Sequence, residues 1–165
     1  MSGTVVWITG LPASGKTTLA ERTRAGLAVP SAILDGDAFR EILGEERYSA
    51  AERDAFYRRL ARLAALLAGQ DLVVLVPATA NLRRYRDEAR ALAPRFLEVW
   101  VKTPLDEAMR RDRKGLYERA RRGEAPDLPG AGAPYEPPES PEVVAGGGLD
   151  AGAAEAIVRR VSRKH

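Results

Sequence analysis

The sequence predicts an α/β fold in which a parallel β-sheet carries helices on both faces. Three observations lead to this prediction. The chain has 165 residues, a length that closes around one core. Short apolar runs of strand length alternate with segments whose apolar residues recur at helical spacing. The first of these runs ends in a glycine-rich turn that leads into a helical segment. We therefore expect a single domain over residues 1–165.

Four segments have the composition of strands. Residues 5–9 are mostly β-branched or aromatic, and Gly10 ends them. Residues 32–34 form a second, shorter run. Residues 72–76 are continuously apolar, as expected of a central parallel strand that is covered on both faces. Residues 96–101 form the fourth predicted strand.

The segments between the strands have the periodicity of helices. Helices are predicted at residues 16–27, 50–68, 83–92, 105–122 and 153–161. Ser49 precedes the second of these, and Glu52 lies three residues later, so the pair predicts a capping box. Residues 123–148 are rich in proline, glycine, alanine and glutamate. They predict a long loop, which in a small domain is more often functional than idle.

Composition and charge exclude several classes of function. The chain has no cysteine, and its one histidine is the last residue, His165. A thiolate zinc site, a cysteine nucleophile and a Ser-His-Asp triad are therefore excluded. A net charge of +3, without a basic tract interleaved with aromatics, does not indicate nucleic-acid binding. No run is long enough for a membrane span or resembles a signal peptide. We expect a cytoplasmic protein with neither nucleic acid nor membrane as partner.

Residues 10–17 match the phosphate-binding motif G-x-x-x-x-G-K-[ST] at every fixed position. The motif lies after a strand and before a helix, where backbone amides and the helix N-terminus can bind phosphates. We expect Lys16 to reach the β- and γ-phosphates and Thr17 to ligate Mg²⁺. The motif refines the fold class to a P-loop NTPase-type three-layer αβα sandwich. The predicted nucleotide contacts are Gly10, Ala13, Ser14, Gly15, Lys16, Thr17 and Thr18.

Two carboxylates follow the second predicted strand, in the order Asp35-Gly36-Asp37. Because the strands are parallel, these side chains are expected at the same sheet edge as the phosphate-binding loop. One carboxylate can hold Mg²⁺ or its water while the other orients and deprotonates an attacking hydroxyl. The alternative is a tight turn that uses Asp and Gly for backbone reasons. The strand at 72–76 ends in Pro77 instead of an acid, so Asp35 or Asp37 is expected to supply the metal carboxylate.

A cationic stretch at residues 110–121 carries too many arginines for its few carboxylates to pair. One interpretation is a solvated helix face. The other is a mobile helical and loop lid, over about residues 105–145, that closes on the transferring phosphoryl group and neutralises its charge.

At this point the chain resembles the adenylylsulfate (APS) kinase family from residue 5 to about residue 144. The resemblance is carried by residues 10–18, by Leu-Asp-Gly-Asp at 34–37 with Arg40, and by Thr-Pro-Leu at 103–105. Its most specific parts are Arg-Asp-Arg-Lys-Gly-Leu-Tyr at 111–117 with Ala-Arg at 120–121, and Pro-Tyr-Glu-Pro-Pro-Glu-Ser-Pro-Glu at 134–142.

The resemblance implies ATP- and Mg²⁺-dependent phosphorylation of the 3′-hydroxyl of APS, and it implies a homodimer. Catalytic roles then fall on Lys16, Asp35, Asp37 and Arg111, of which Arg111 also contacts ATP from the lid. Thr17 and Asp35 become the metal ligands. The residues implied to bind the small anionic acceptor are Asp37, Arg40, Tyr48, Arg53, Phe56, Lys114 and Leu128.

The chain departs from the family pattern on the acceptor side alone. Thr-Ala-Asn-Leu at 79–82 replaces an Ile-Ser-Pro-Tyr block, and Leu-Pro-Gly at 128–130 replaces Phe-Thr-Gly. Phe56 and Ala38 each replace an asparagine. Loss of an aromatic at 128 would forfeit base stacking, worth about 1–3 kcal/mol per base. Two alternatives to APS phosphorylation follow: a related kinase with another hydroxylated acceptor, and a non-catalytic nucleotide-binding regulatory partner.

Overall fold

The computed structural model describes residues 3–45 and 49–163. The described residues form five strands, β1 (Thr4–Thr9), β2 (Ser31–Ile33), β3 (Val73–Pro77), β4 (Phe96–Val101) and β5 (Val143–Ala145). They also form seven helices, α1 (Lys16–Ala25), α2 (Gly36–Leu43), α3 (Ala50–Ala68), α4 (Arg83–Leu92), α5 (Leu105–Arg110), α6 (Leu116–Arg121) and α7 (Ala151–Ser162).

All strand pairs are parallel, and the sheet order is β2-β3-β1-β4-β5. β1 is central, with Val6 opposite Leu75 of β3 on one side and Leu97 of β4 on the other. β1 and β3 are buried along their whole length, because helices cover both faces of the sheet. The α/β sandwich predicted from the sequence is confirmed.

Two apolar clusters lie on opposite faces of the sheet. One joins α3 and α4 to the sheet through Trp7, Phe56, Leu60 and other side chains. The other joins α1 and α7 to the sheet through Leu19, Ile157 and their neighbours. Because both faces are covered, the open part of the sheet is the edge at the carboxyl ends of the strands, where ligands bind in this class of fold.

Most predicted elements have the predicted bounds to within one or two residues. The capping box of α3 is confirmed: Ser49 Oγ accepts from the Glu52 amide at 3.3 Å, and the Glu52 carboxylate accepts from the Ser49 amide at 3.1 Å. Residues 72–76 are confirmed as a buried central strand, displaced by one residue.

Three local predictions were wrong. The helix expected at 105–122 is two short helices: α5 ends at Arg110, and Gly115, whose φ of +66° favours glycine, precedes the start of α6. Helix α2 was missed because its opening Asp-Gly-Asp is typical of a turn. Strand β5 was missed within the predicted loop at 123–148, because three residues are too few to display periodicity. The last three residues of the predicted lid therefore lie in the sheet.

Among the described residues, no helix is long and apolar enough to cross a membrane.

Candidate active site

The phosphate-binding loop joins β1 to α1 at the carboxyl edge of the sheet. Its sharp turns need positive φ at Ala13 (+60°) and Gly15 (+102°). Helix α1 begins at Lys16, without a side-chain cap at its N-terminus. The N–H groups of its first turn therefore point into the loop, where an anion can accept hydrogen bonds from them.

Two hydroxyl groups from distant segments bind the outer side of this loop. The Thr103 hydroxyl donates to the carbonyl of Ser14 at 2.7 Å, and the Tyr117 hydroxyl donates to the carbonyl of Pro12 at 2.8 Å. Thr103 and Tyr117 are both buried. The loop is thus held from behind by hydrogen bonds that a bound phosphate would not compete for.

A run of three glycines after β5 lies against the same loop. A β-carbon at Gly148 would lie 2.6 Å from the carbonyl oxygen of Gly15, and one at Gly15 would lie 2.6 Å from the amide nitrogen of Gly148. Each contact is too short for a side chain. The two backbones can approach this closely only because both residues are glycine.

The Lys16 ammonium lies over the loop, donating to the carbonyls of Gly10 at 3.1 Å and Leu11 at 2.7 Å. Burial lowers its pKa to about 8, although the carboxylates of Asp37 and Asp35 act in the opposite direction. A partly buried ammonium with a lowered pKa gains from a polyanionic ligand, because the ligand's negative charge favours its protonated form.

Asp35 links the phosphate-binding loop to helix α2. One of its carboxylate oxygens accepts from the amides of Asp37 at 2.8 Å and Ala38 at 3.2 Å, as the N-cap of α2. The other accepts from the Thr17 hydroxyl at 2.7 Å. Two hard oxygen donors therefore lie together beside the phosphate-binding loop. No group of three or more His, Cys, Asp or Glu that could hold a metal ion occurs within 3–45 and 49–163.

Asp37 lies two residues after Asp35, in the first turn of α2. Its carboxylate accepts from the Lys114 ammonium at 2.8 Å, and both side chains are largely exposed. Lys114 belongs to the segment between α5 and α6, so this ion pair joins the predicted lid to the opposite wall of the cleft. Each group remains accessible to a ligand.

Arg40 and Arg53 lie deeper in the same wall, and both are buried. The Arg40 guanidinium carbon lies 3.9 Å from the centroid of the Phe56 ring. Arg53 donates to the backbone carbonyl of Asp127 at 2.7 Å, which ties α3 to the segment that precedes Leu128. Leu128 itself is partly buried. Phe56 is buried beneath Arg40, so its predicted contact with the acceptor stays a prediction, as do those of Arg40, Arg53 and Leu128.

Arg111 ends α5 on the donor side of the cleft and forms an ion pair with Glu107 one turn earlier. A β-carbon at Gly147 would lie 3.6 Å from its Nη1 atom, so the guanidinium lies beside the glycine run that contacts the phosphate-binding loop. Tyr48 lies outside the described residues, and its predicted role remains untested.

Arg86, which the sequence pattern does not mark, fixes the backbone of the segment after β3, residues 78–82. This buried guanidinium donates to the carbonyls of Ala80 and Glu136, each at 2.6 Å, and to the Glu98 carboxylate at 2.8 Å. Ala80 has φ +40°, a strained conformation for a residue with a β-carbon. The backbone amide of Ala80 donates a hydrogen bond to the Tyr57 hydroxyl at 3.0 Å.

Arg86 also connects that segment to the Pro-Tyr-Glu motif. The Asn81 side chain donates to the carbonyl of Pro134 at 2.9 Å, and the hydroxyls of Tyr135 and Thr9 lie 3.0 Å apart. A buried arginine at this position has no sequence signal of its own, because an arginine on a helix is ordinarily solvated. Residues 79–82 and the motif at 134–142 therefore lie side by side and form one continuous surface.

The chain is similar to known adenylyl-sulfate kinases in sequence and in structure. Residues 2–146 match the family model described as adenylylsulphate kinase. The chain is 47% identical to the adenylyl-sulfate kinase of Chloroflexus aurantiacus over 86% of this chain and 78% of that one. It is 44% identical to the adenylyl-sulfate kinase of Synechococcus sp. strain JA-3-3Ab, over 86% and 83%. The APS kinase of Mycobacterium tuberculosis, solved in complex with AMPPNP and APS, superposes with a TM-score of 0.90 at 34% identity, covering 98% of this chain and 99% of that one.

Proposed function

The chain belongs to the adenylylsulphate kinase family and is an ATP-dependent kinase, and from that premise we propose how its residues transfer the γ-phosphoryl group of ATP to the 3′-hydroxyl of adenylyl sulfate. The observation that carries the proposal is that the Thr17 hydroxyl and the Asp35 carboxylate lie 2.7 Å apart. This contact joins the phosphate-binding loop to the acidic pair that faces the acceptor side.

On the donor side, the backbone N–H groups of residues 13–18 hold the β- and γ-phosphates, and the Lys16 ammonium turns from the loop carbonyls towards them. Arg111 approaches from the lid, beside the glycine run. Lys16 and Arg111 carry positive charge, and the backbone N–H groups present the positive ends of their dipoles. They therefore stabilise the charge that spreads over the equatorial oxygens of the transferring group.

The residues at the junction also fit Mg²⁺, the cation that accompanies ATP in phosphoryl transfer. Thr17 and Asp35 offer the hard oxygen ligands that Mg²⁺ prefers, and phosphate oxygens and water complete such a site in this class of enzyme. Bound there, Mg²⁺ would neutralise charge on the phosphates. A separate protein cage is not needed, which agrees with the small number of carboxylates at this edge.

On the acceptor side, Asp37 takes the proton from the 3′-hydroxyl as its oxygen forms a bond to the γ-phosphorus. The bond between the γ-phosphorus and the bridging oxygen breaks at the same time, and ADP leaves. Lys114 must release Asp37 when the acceptor enters, and its ammonium is then available to the acceptor's phosphate. Arg40 and Arg53 bind the anionic groups further in, and Tyr48 and Leu128 flank the adenine.

Two further features belong to the proposal. Residues 105–142 act as a lid whose closure brings Arg111 and Lys114 over the reactants, and the working unit is a homodimer. We infer that the reaction takes place in the cytoplasm, where ATP is available. Light scattering on the purified chain measures the assembly: a mass near 36 kDa, twice the 17.9 kDa of one chain, is expected.

The function is tested by incubating the purified chain with Mg²⁺, APS and ATP labelled at its γ-phosphate. The label is expected in 3′-phosphoadenylyl sulfate, with saturation at micromolar APS. Lys16→Ala is the matched inactive control, because it removes the cation that bridges to the γ-phosphate. ATP binding without label transfer to APS would contradict the proposal, and so would an unchanged rate in Lys16→Ala.

A further inference from the structure

Phe56 is a fully buried aromatic residue beneath a cation, and its environment gives it a specific task. It lies on α3, three residues after Arg53, and only 1% of its surface is exposed. A side chain this buried cannot form the open wall of a binding site. Whatever it contributes to acceptor binding must pass through a residue that it supports.

The residue that lies on Phe56 is Arg40 of helix α2. The guanidinium carbon lies 3.9 Å from the ring centroid, which is closer than in the other cation–π contacts of the described residues. The N–H groups of a guanidinium lie in its own plane, so a contact between its face and a ring leaves them directed towards other partners. This orientation suits bidentate donation to a phosphate or sulfate group.

The ring itself is held on its other sides by aromatic neighbours. Phe39 lies 5.8 Å away in a tilted arrangement, and Tyr57 lies 5.1 Å away, edge-on. Phe39 and Arg40 are adjacent on α2, so the aromatic cluster fixes this helix against α3. Helix α2 also carries Asp37 in its first turn. The orientation of the Phe56 ring therefore determines where the Arg40 charge lies relative to Asp37.

We propose that Phe56 is a positioning residue for the acceptor: its ring is the platform that holds the Arg40 guanidinium in the orientation that binds the acceptor's anionic group. This inference rests on the proposed function, since it assigns Arg40 to the acceptor and not to ATP. The apolar residue acts through a cation and makes no hydrogen bond itself.

The first test is Phe56→Leu, which keeps most of the volume and removes the ring face. The KM for APS is expected to rise by about three- to thirtyfold, with the KM for ATP changed by less than about twofold. Ile157→Val is the matched control, because it trims a fully buried side chain in the cluster on the opposite face of the sheet. Its KM for APS should stay unchanged at a similar loss of thermal stability.

The second test separates the ring's electrostatics from its packing. Site-specific incorporation of fluorinated phenylalanines at position 56 weakens the negative ring face stepwise while changing the volume little. The KM for APS should then rise stepwise with fluorine number. In the Arg40→Ala background, Phe56→Leu should add less than about twofold, because the residue it supports is already gone.

Three results would overturn the inference: an unchanged KM for APS in Phe56→Leu, equal effects on both substrates, or full additivity with Arg40→Ala. Failure of the proposed function is recognised separately. In that case the unmodified protein would transfer no phosphoryl group to APS, whatever residue stands at position 56.

Discussion

The two sides of the cleft are built in different ways. The donor side is a single continuous loop whose ligands are mostly backbone amides, held from behind by Thr103, Tyr117 and Gly148. The proposed acceptor side is assembled from side chains of α2, of α3 and of the segment between α5 and α6, including the exposed pair Asp37 and Lys114. Backbone ligands tolerate changes in neighbouring side chains, whereas side-chain ligands change with every substitution. A family of kinases can therefore keep the same phosphoryl donor, ATP, while the pocket for the phosphoryl acceptor diverges.

The largest difference between the two sides should appear at Asp37. Asp37→Asn keeps the shape of the side chain but removes the base, so kcat with APS should fall by about 10²–10⁴-fold. The ATP dissociation constant should change by less than about twofold, since the donor side is intact. Steady-state kinetics and calorimetric titration with ATP measure the two quantities. A kcat within a factor of a few of the unmodified protein would remove Asp37 from the chemistry.

The donor side should be sensitive to a change that adds a single carbon. In Gly148→Ala the new β-carbon would lie 2.6 Å from the Gly15 carbonyl oxygen and 3.0 Å from the Thr18 β-carbon, so the loop must shift. We expect a loss of about 1–3 kcal/mol in the free energy of unfolding and a rise of about tenfold in the KM for ATP.

The matched control for that variant is Gly146→Ala in the same glycine run. There the nearest atom to the added carbon is a side-chain oxygen of Asp150, at 3.8 Å, so both quantities should stay close to their original values. Chemical denaturation and ATP kinetics on both variants make the comparison. Equal behaviour of the two variants would show that the close backbone contact does not matter.

The third expected difference is a pH dependence confined to the donor side. Burial lowers the pKa of Lys16 to about 8 from its ordinary 10.5, so the ammonium of the ATP-free protein loses its proton as pH rises above about 8. Phosphates favour the charged form. ATP binding should therefore take up a proton above pH 8, and ATP affinity should fall by up to about tenfold per pH unit there.

Calorimetry of ATP binding in buffers with different ionisation enthalpies measures this proton uptake. Lys16→Arg is the control, because a guanidinium stays charged throughout the range. The unfolded chain holds the Lys16 proton up to about pH 10.5, so the same shift makes the ATP-free fold more stable as pH rises from about 8 to 10.5. ATP affinity that is constant from pH 7 to 9.5 would contradict the assignment.

Much of the donor side could be predicted from the sequence because its information is local. The fixed positions of residues 10–17 are contiguous, and the preceding strand and following helix have clear periodicity. The joining of this loop to Asp35 also followed from the rule that parallel strands end at one edge. The 2.7 Å contact between Thr17 and Asp35 confirms that expectation.

The acceptor side could be predicted only as a set of residues. The structure shows what their spacing could not: Arg40 lies over the Phe56 ring, Arg53 donates to the carbonyl of Asp127, and Lys114 pairs with Asp37. The buried Arg86, which joins three segments, had no signal in the sequence. Strand β5 and helix α2 were missed because three residues, or a turn-like start, carry too little periodicity.

The amino-acid sequence by itself therefore determined the fold class, the phosphate-binding loop and the family. Each of these depends on contiguous motifs and on the alternation of strands and helices. Only the tertiary structure decided what holds the cations that we propose for the acceptor. Those contacts join residues far apart in the chain, and their geometry is set by packing between α2, α3 and the lid.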